Sequence, residues 1–345
     1  MVGDVGWDMS PHELLGEIHP RISINVGVVV IGRNEGDRLK RCFVSVLAHA
    51  RRVVYVDSGS TDGSAQWARA QGAGVVDLDL TRPFTAARAR NEGFERLLEL
   101  EPSIPFVQFV DGDCEIASGW LENASEFLET HPQAAAACGR RRERNPHHSI
   151  YNMLCDIEWD SPVGQARSCG GDVMMRASAL RDSGGYRESL IAGEEPELCV
   201  RLRQAGWQVW RLPSEMTLHD AAMVRFSQWW KRTKRCGHAY AEGAWLHGAK
   251  PERHCVRQTM RAVTWGGLLP FFTIGSAMTN PMWLLLLLAY PLQIFRLALR
   301  YNIASSVGCF RAFFTVLARF PECEGAVQYW FNRLRQRHSV LIEYK

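Results

Sequence analysis

No C-x-x-C pair occurs among the ten cysteines of this 345-residue chain, and no cysteine and histidine cluster has zinc-finger spacing. A zinc ribbon and a thioredoxin-like dithiol are thereby excluded, and buried thiols are expected from Cys42 to Cys323. The chain also lacks a strong charge bias: a net charge of +3 without a concentrated basic patch excludes nucleic acid as the expected partner. No G-x-G-x-x-G follows the first apolar run, which argues against a dinucleotide-dependent dehydrogenase. The first residues carry Asp4, Asp8, Glu13 and Glu17 instead of a basic start and an apolar run, so no signal peptide is expected. Internal repeats and low-complexity tracts are absent as well.

What is present is an alternation. Ile24 to Ile31 is a nearly unbroken β-branched run, as in a strand buried on both faces of a parallel sheet. A helical stretch follows from Arg38 to Ala48, then a strand at Val53 to Asp57 and a helix opened by Ser60-Thr61-Asp62-Gly63 and stopped at Gly72. The pattern repeats with a strand at Gly74 to Leu80, a helix at Thr85 to Leu98 and a strand at Phe106 to Asp111. A later helix is expected from Glu195 to Ala205. Such a succession predicts a doubly wound α/β sheet whose ligands bind at the carboxyl ends of the strands.

Three polar clusters fall at those ends. Arg33-Asn34-Glu35 follows the first strand and Asp57-Ser58-Gly59-Ser60 the second, where small and acidic groups suit a base and a ribose. Asp111-Gly112-Asp113 closes the fourth, and its two carboxylates offer hard oxygen ligands to Mg²⁺ or Mn²⁺. The segment Arg82 to Asn91 brings arginines to a helix start, of which Arg90 is the expected phosphate-side residue and Arg88 the structural one.

Together with Gly170-Gly171-Asp172 and Gly193-Glu194-Glu195-Pro196-Glu197-Leu198, these clusters resemble the family 2 glycosyltransferases over roughly residues 26–219. The resemblance implies the Rossmann-like glycosyltransferase A fold with a mostly parallel central sheet, a divalent metal (Mn or Mg), a nucleotide-diphosphate sugar donor and inverting transfer. Carried over by position, Asn34, Glu35, Asp57, Ser58, Arg90 and Asp111 are the expected donor-binding residues. Asp113, Asp111 and His219 are the expected metal set, and Gly171, Asp172 and Glu194 lie on the acceptor side. Glu195, the second member of the acidic pair, is the expected general base. Ser58 stands where the family often has a second aspartate, and Glu195 where it usually has aspartate. Gln228-Trp229-Trp230-Lys231-Arg232 is faintly similar to an acceptor-site motif of polysaccharide-making relatives, and fits a membrane-surface helix equally.

No charged residue occurs between Ala262 and Phe295, while Arg253, Arg257 and Arg261 precede that interval and Arg296 and Arg300 follow it. By the positive-inside rule both flanks prefer the cytoplasmic side, predicting a re-entrant or in-plane helical hairpin that turns near Thr279-Asn280-Pro281. The expected organisation is an N-terminal extension (1–23), a catalytic domain (24–245) and a helical, membrane-associated region (246–345), at the cytoplasmic face of the cell membrane. The expected acceptor is a glycan or lipid-linked hydroxyl, in surface or extracellular polysaccharide synthesis. Two alternatives stand beside this reading: a sugar-phosphate nucleotidyltransferase, whose glycine-rich first loop is missing at Gly32 to Gly36, and a non-catalytic membrane-docked scaffold that binds nucleotide sugars.

Overall fold

A computed structural model describes residues 24–336; the expected N-terminal extension lies outside the described residues. The chain opens with β1 (Ile24–Gly32), α1 (Asp37–Leu47), β2 (Ala50–Asp57), α2 (Ser64–Ala70) and β3 (Gly74–Asp77). It continues through α3 (Ala86–Leu100), β4 (Phe106–Asp111), β5 (Cys114–Ile116), α4 (Trp120–Thr130), β6 (Ala134–Glu143) and α5 (Ile150–Glu158). The sheet-bearing half ends with β7 (Gly164–Gln165), β8 (Val173–Arg176), α6 (Ala177–Asp182), α7 (Glu194–Gln204) and β9 (Gln208–His219).

The nine strands form one sheet in the order β3-β2-β1-β4-β8-β6-β9-β5, with β7 pairing β9. β1 lies between β2 and β4, parallel to both, so the valine run Val28 to Val30 is fully buried on either face. β8 pairs antiparallel with β4 and with β6, which puts β6 and β9 in the direction of β1 and leaves the sheet mostly parallel. Helices cover both faces. On one, Leu39, Phe43 and Val46 of α1 pack with Trp120 and Leu121 of α4; on the other, Phe94 and Leu97 of α3 pack with Leu198 and Leu202 of α7. Thr85 caps α3, its hydroxyl accepting from Arg88 N at 3.1 Å, which satisfies one of the orphan amides of the first turn.

Beyond the sheet come α8 (Phe226–His247), α9 (Val256–Val263), a π-helical turn at Thr264–Leu268 and α10 (Leu269–Ala277). A 3₁₀ segment, Pro281–Leu288, runs directly into α11 (Ala289–Arg300), and α12 (Ser306–Leu317) and α13 (Arg319–Leu334) complete the described chain. The expected domain boundary at 245/246 falls inside α8, which runs on to His247 and packs along α13. That contact is close because it is made by glycines: a Cβ on Gly237 would stand 2.0 Å from Glu322 O, and one on Gly325 would stand 1.9 Å from Lys234 O.

α10 packs against the 3₁₀ segment, with the turn between them closed by Asn280, whose Oδ1 accepts from Met282 N at 2.9 Å. The turn coincides with the expected one. The hairpin is exposed and apolar, with Phe271 73%, Met278 89% and Leu292 66% accessible. Pro281–Arg300 is one helix long and apolar enough, by length and composition, to cross a membrane. Gln228, Trp229 and Arg232 of the aromatic and basic segment serve structure: Gln228 caps α8, Trp229 is buried and Arg232 bonds Glu158.

Candidate active site

A cleft of about 640 Å³ opens at the carboxyl ends of β1, β2 and β4. Parallel strands and their following helices present loops and helix N-termini on one edge, and that is where ligands of such sheets bind. Asn34, Glu35, Ser58, Arg90, Asp111, Asp113, Gly171 and Glu194, all anticipated from the sequence, line it. Arg33, Arg38, Arg141 and Arg235 line it as well, so the cleft carries several cations.

The loops after β1 and β2 hold each other. Asn34 N donates to Ser60 Oγ at 2.9 Å, and Asn34 Oδ1 accepts from Thr61 N at 2.7 Å. Asp57 is buried under this loop pair: its Oδ2 accepts from Gly59 N and Ser60 N at 3.0 and 2.8 Å, and its Oδ1 from the Tyr55 hydroxyl at 3.0 Å. Ser58, not Asp57, therefore meets the cleft, because Asp57 is consumed in shaping the turn. Glu35 is tied to Arg38 at 2.8 Å.

Arg90 is buried at the centre. Nη1 donates to Glu194 Oε1 at 2.7 Å and Nη2 to Asp111 Oδ1 at 2.9 Å, joining α3, α7 and β4. Burial alone would lower its pKa; Asp111 and Glu194 outweigh that and raise it, so the guanidinium stays charged. Gly171 lies so near that a Cβ there would stand 2.7 Å from Arg90 Nη2. Arg88, by contrast, bonds Glu92 and the carbonyls of Asp79, Arg82 and Pro83, as expected of a structural arginine.

Asp172 differs from its expected place on the acceptor side. It is buried behind the cleft, Oδ1 accepting from Asp111 N at 3.1 Å and Oδ2 from the Thr217 hydroxyl at 2.8 Å. Its register on β8's approach to β4 makes it a brace for Asp111.

Asp113 and His219 meet across the strand ends, with Nε2 and Oδ2 3.4 Å apart. His219 Nδ1 lies 3.2 Å from Glu143 Oε2, which also accepts from Ala221 N at 3.0 Å. Burial first, and Arg141 second, hold the His219 pKa below its ordinary value, favouring the neutral ring. A neutral ring that donates Nδ1–H to Glu143 turns the Nε2 lone pair toward Asp113, the carboxylate–histidine arrangement that orients metal ligands. Ligand atoms of Asp113, Cys114 and His219 lie within 4.8 Å of one another, and so do those of Asp111, Cys114 and Asp172. The carboxylate oxygens of Asp113 and Asp111 suit Mn²⁺ or Mg²⁺, and the His219 nitrogen beside Asp113 suits Mn²⁺ better than Mg²⁺.

The acidic pair at the head of α7 is split. Glu194 faces the cleft, whereas Glu195 is 3% exposed and its Oε1 accepts from Cys169 N at 2.6 Å and from the Cys169 and Cys199 thiols at 3.0 and 2.9 Å. Adjacent helical positions point about 100° apart, so only one of the two can face the cleft. Glu195, the expected general base, does not line the cleft and is held by the Cys169 amide.

Arg141, Arg235 and Glu143 were not anticipated. Arg141 and Glu143 are two residues apart on β6 and so share a face, a signal present in the run Arg140 to Arg144. Arg235 comes from α8, whose relation to the sheet no local pattern reveals.

Residues 27–167 match the family described as Glycosyl transferase family 2. The chain is 29% identical over 213 residues to the pre-mycofactocin glycosyltransferase of two Mycobacterium tuberculosis strains, covering 57% of this chain and 43% of that protein. It is 28% identical over 194 residues to the succinoglycan biosynthesis protein ExoU of Rhizobium meliloti, covering 51% and 56%. The chain thus spans about half the length of the curated relatives it matches. The mannosyltransferase PcManGT of Pyrobaculum calidifontis, solved with GDP-Man and Mn²⁺, superposes with a TM-score of 0.61 at 18% identity, over 95% of this chain and 91% of that one. Residues 27–167 are thus a segment of the glycosyl transferase family 2 type, and the chain has the glycosyltransferase A fold.

Proposed function

We propose that the protein transfers a sugar, with inversion, from a nucleotide-diphosphate sugar to a hydroxyl of a glycan or lipid-linked acceptor in polysaccharide synthesis. The observation that carries this reading is that Asp111 and Asp113 line one cleft with Arg33, Arg38, Arg90, Arg141 and Arg235 at the strand ends of one sheet, with His219 behind Asp113. The relatives named above, among them a succinoglycan biosynthesis protein and a mannosyltransferase solved with GDP-Man and Mn²⁺, support the donor and product classes.

The nucleoside is received by the loops after β1 and β2, which Asn34, Asp57 and Ser60 hold in shape. Bound Mn²⁺ or Mg²⁺ supplies the charge that neutralises the leaving diphosphate. Asp113 and Asp111 would hold the ion through carboxylate oxygens, with His219 beside Asp113 as a further donor, and the cleft guanidiniums would add bidentate donors for phosphate oxygens. Arg90 keeps Asp111 and Glu194 in register on opposite walls.

The base must take the acceptor proton as the hydroxyl attacks from the side opposite the diphosphate. Glu194 is committed to Arg90, and accepting a proton would break that bridge. Glu195 holds only neutral donors, so the role falls to Glu195, whose Oε1 the acceptor hydroxyl would have to win from the Cys169 amide. Glu195→Gln is expected to abolish transfer with donor affinity kept, and Glu194→Gln to weaken donor binding. Turnover retained in Glu195→Gln would move the base to Glu194.

Membrane association is part of the proposal. The exposed hairpin carries Phe271, Phe272, Met278 and Leu285, and Arg257, Arg261, Arg296 and Arg300 flank it, a composition suited to the cytoplasmic face of an anionic bilayer. The defining experiment incubates the purified chain with a panel of nucleotide-diphosphate sugars and Mn²⁺. Release of nucleoside diphosphate from one donor supports the function, and none from any donor overturns it.

A further inference from the structure

Outside the cleft, beneath the Cys169–Gly171 loop, three potential ligands meet: the thiols of Cys169 and Cys199 and the Glu195 carboxylate, their ligand atoms all within 4.8 Å of one another. Glu195 and Cys199 are four residues apart on α7, which puts both on one helix face, and Cys169 approaches from the facing loop. The two sulfurs are 3.6 Å apart. Zinc–thiolate bonds of about 2.3 Å give a tetrahedral edge of about 3.8 Å, so the pair is already at zinc-bridging separation.

A second observation points the same way. Glu195 is buried, and among the described residues no lysine, arginine or histidine pairs with it; its partners are one amide and two thiols. A buried carboxylate without a cation is costly, and a divalent ion seated between it and the sulfurs would supply the missing charge. Cys169 is half-buried, which leaves a way in.

We propose that Cys169, Glu195 and Cys199 form a site for one thiophilic divalent cation, Zn²⁺ being the fitting ion, distinct from the hard-cation set in the cleft. Burial holds the Cys169 thiol well above its ordinary range, so the site is a protonated dithiol until an ion arrives. Binding breaks both S–H bonds, forms two Zn–S bonds and one Zn–O bond to the carboxylate, and releases two protons; water completes the tetrahedron. No electrons move. Hard Mg²⁺ and Mn²⁺ do not favour thiolates, so the two sites select different ions by donor softness. Occupancy also removes the carboxylate assigned above as the base, and this consequence rests on that assignment: zinc would arrest transfer.

The test uses the full chain after chelation. Titration with Co²⁺ is expected to give a tetrahedral spectrum with thiolate charge transfer from two sulfurs at one equivalent, displaced by Zn²⁺ and untouched by Mg²⁺. C169S and C199S are each expected to lower Co²⁺ affinity at least about a hundredfold, more than an outer-shell change costs. Absence of the thiolate band in the unmodified chain overturns the proposal, and so does a band that survives C169S/C199S. Mass spectrometry of alkylated thiols provides a check independent of folding of the variants: Zn²⁺ must protect Cys169 and Cys199 together, and protection of neither refutes the site. Zinc bound with transfer unimpaired leaves the site standing and overturns Glu195 as the base.

Discussion

Replacing Arg90 with methionine removes a side chain that bonds α3 to both β4 and α7 within the cleft. Methionine keeps the apolar stem and deletes the guanidinium, so Asp111 and Glu194 lose bonds of 2.9 and 2.7 Å. Breaking a buried ion pair from one side costs about 3–5 kcal/mol. Asp111 is 30% exposed and has Arg141 at 3.6 Å, so part of its loss is compensated. The lower end, about 3 kcal/mol, is therefore expected, which for a domain of this size corresponds to roughly 6–12 °C in Tm. Differential scanning calorimetry reads the shift, with Arg90→Lys expected between the two because a single ammonium cannot bridge both carboxylates in fixed geometry. A Tm for Arg90→Met within about 2 °C of the parent chain would refute the bridging role, since that shift matches less than 1 kcal/mol.

Asp113→Asn is expected to lower Mn²⁺ affinity and transfer together while leaving the fold intact, as isothermal titration against circular dichroism would show. Gly171→Ala would press a Cβ onto Arg90 Nη2 and should raise KM for the donor more than it lowers kcat. Stability should also depend on pH through α8 and α13: burial first raises both Glu242 and Glu322 from 4.5 to about 7. A carboxyl raised in the folded state stabilises fully below its unfolded value and loses that contribution as pH rises toward about 7, by up to about 3 kcal/mol per group. Denaturant titrations from pH 4.5 to 7.5 should show this fall, and E242Q and E322Q should flatten it. Vesicle flotation should show binding to anionic bilayers that resists salt washing, and substitution of Phe271 and Phe272 by aspartate should abolish it.

Much of the fold is readable from local pattern. The run Ile24 to Ile31 reads as a strand buried on both sides, and it has parallel neighbours on both edges. Phe106 to Asp111 announces itself the same way and delivers Asp111 and Asp113 to the sheet edge where hydrophobic periodicity stops. Thr85 and the stop at Gly72 mark helix ends by chemistry that acts within a single turn.

Features set by contacts across the chain are less legible. Whether Glu194 or Glu195 faces the cleft depends on Cys169, 26 residues away, whose amide captures the second carboxylate. Asp57 and Asp172 have the composition of ligand contacts, yet their oxygens are used by Tyr55, Ser60, Thr217 and the Asp111 amide. Arg235 reaches the cleft from α8, a matter of tertiary packing that no local pattern reveals. The apolar hairpin was legible as a composition, and its turn at Asn280 as a proline-marked break.

Thermal shift of the whole chain against nucleotide-diphosphate sugars, each with and without Mn²⁺ and in parallel with Asp113→Asn, tests the central claim most directly. One donor is expected to raise Tm only when the ion is present, and the variant is expected to lose that increment. Stabilisation that is independent of the ion and unchanged in Asp113→Asn would contradict a cation-held diphosphate at the ends of β1 and β4.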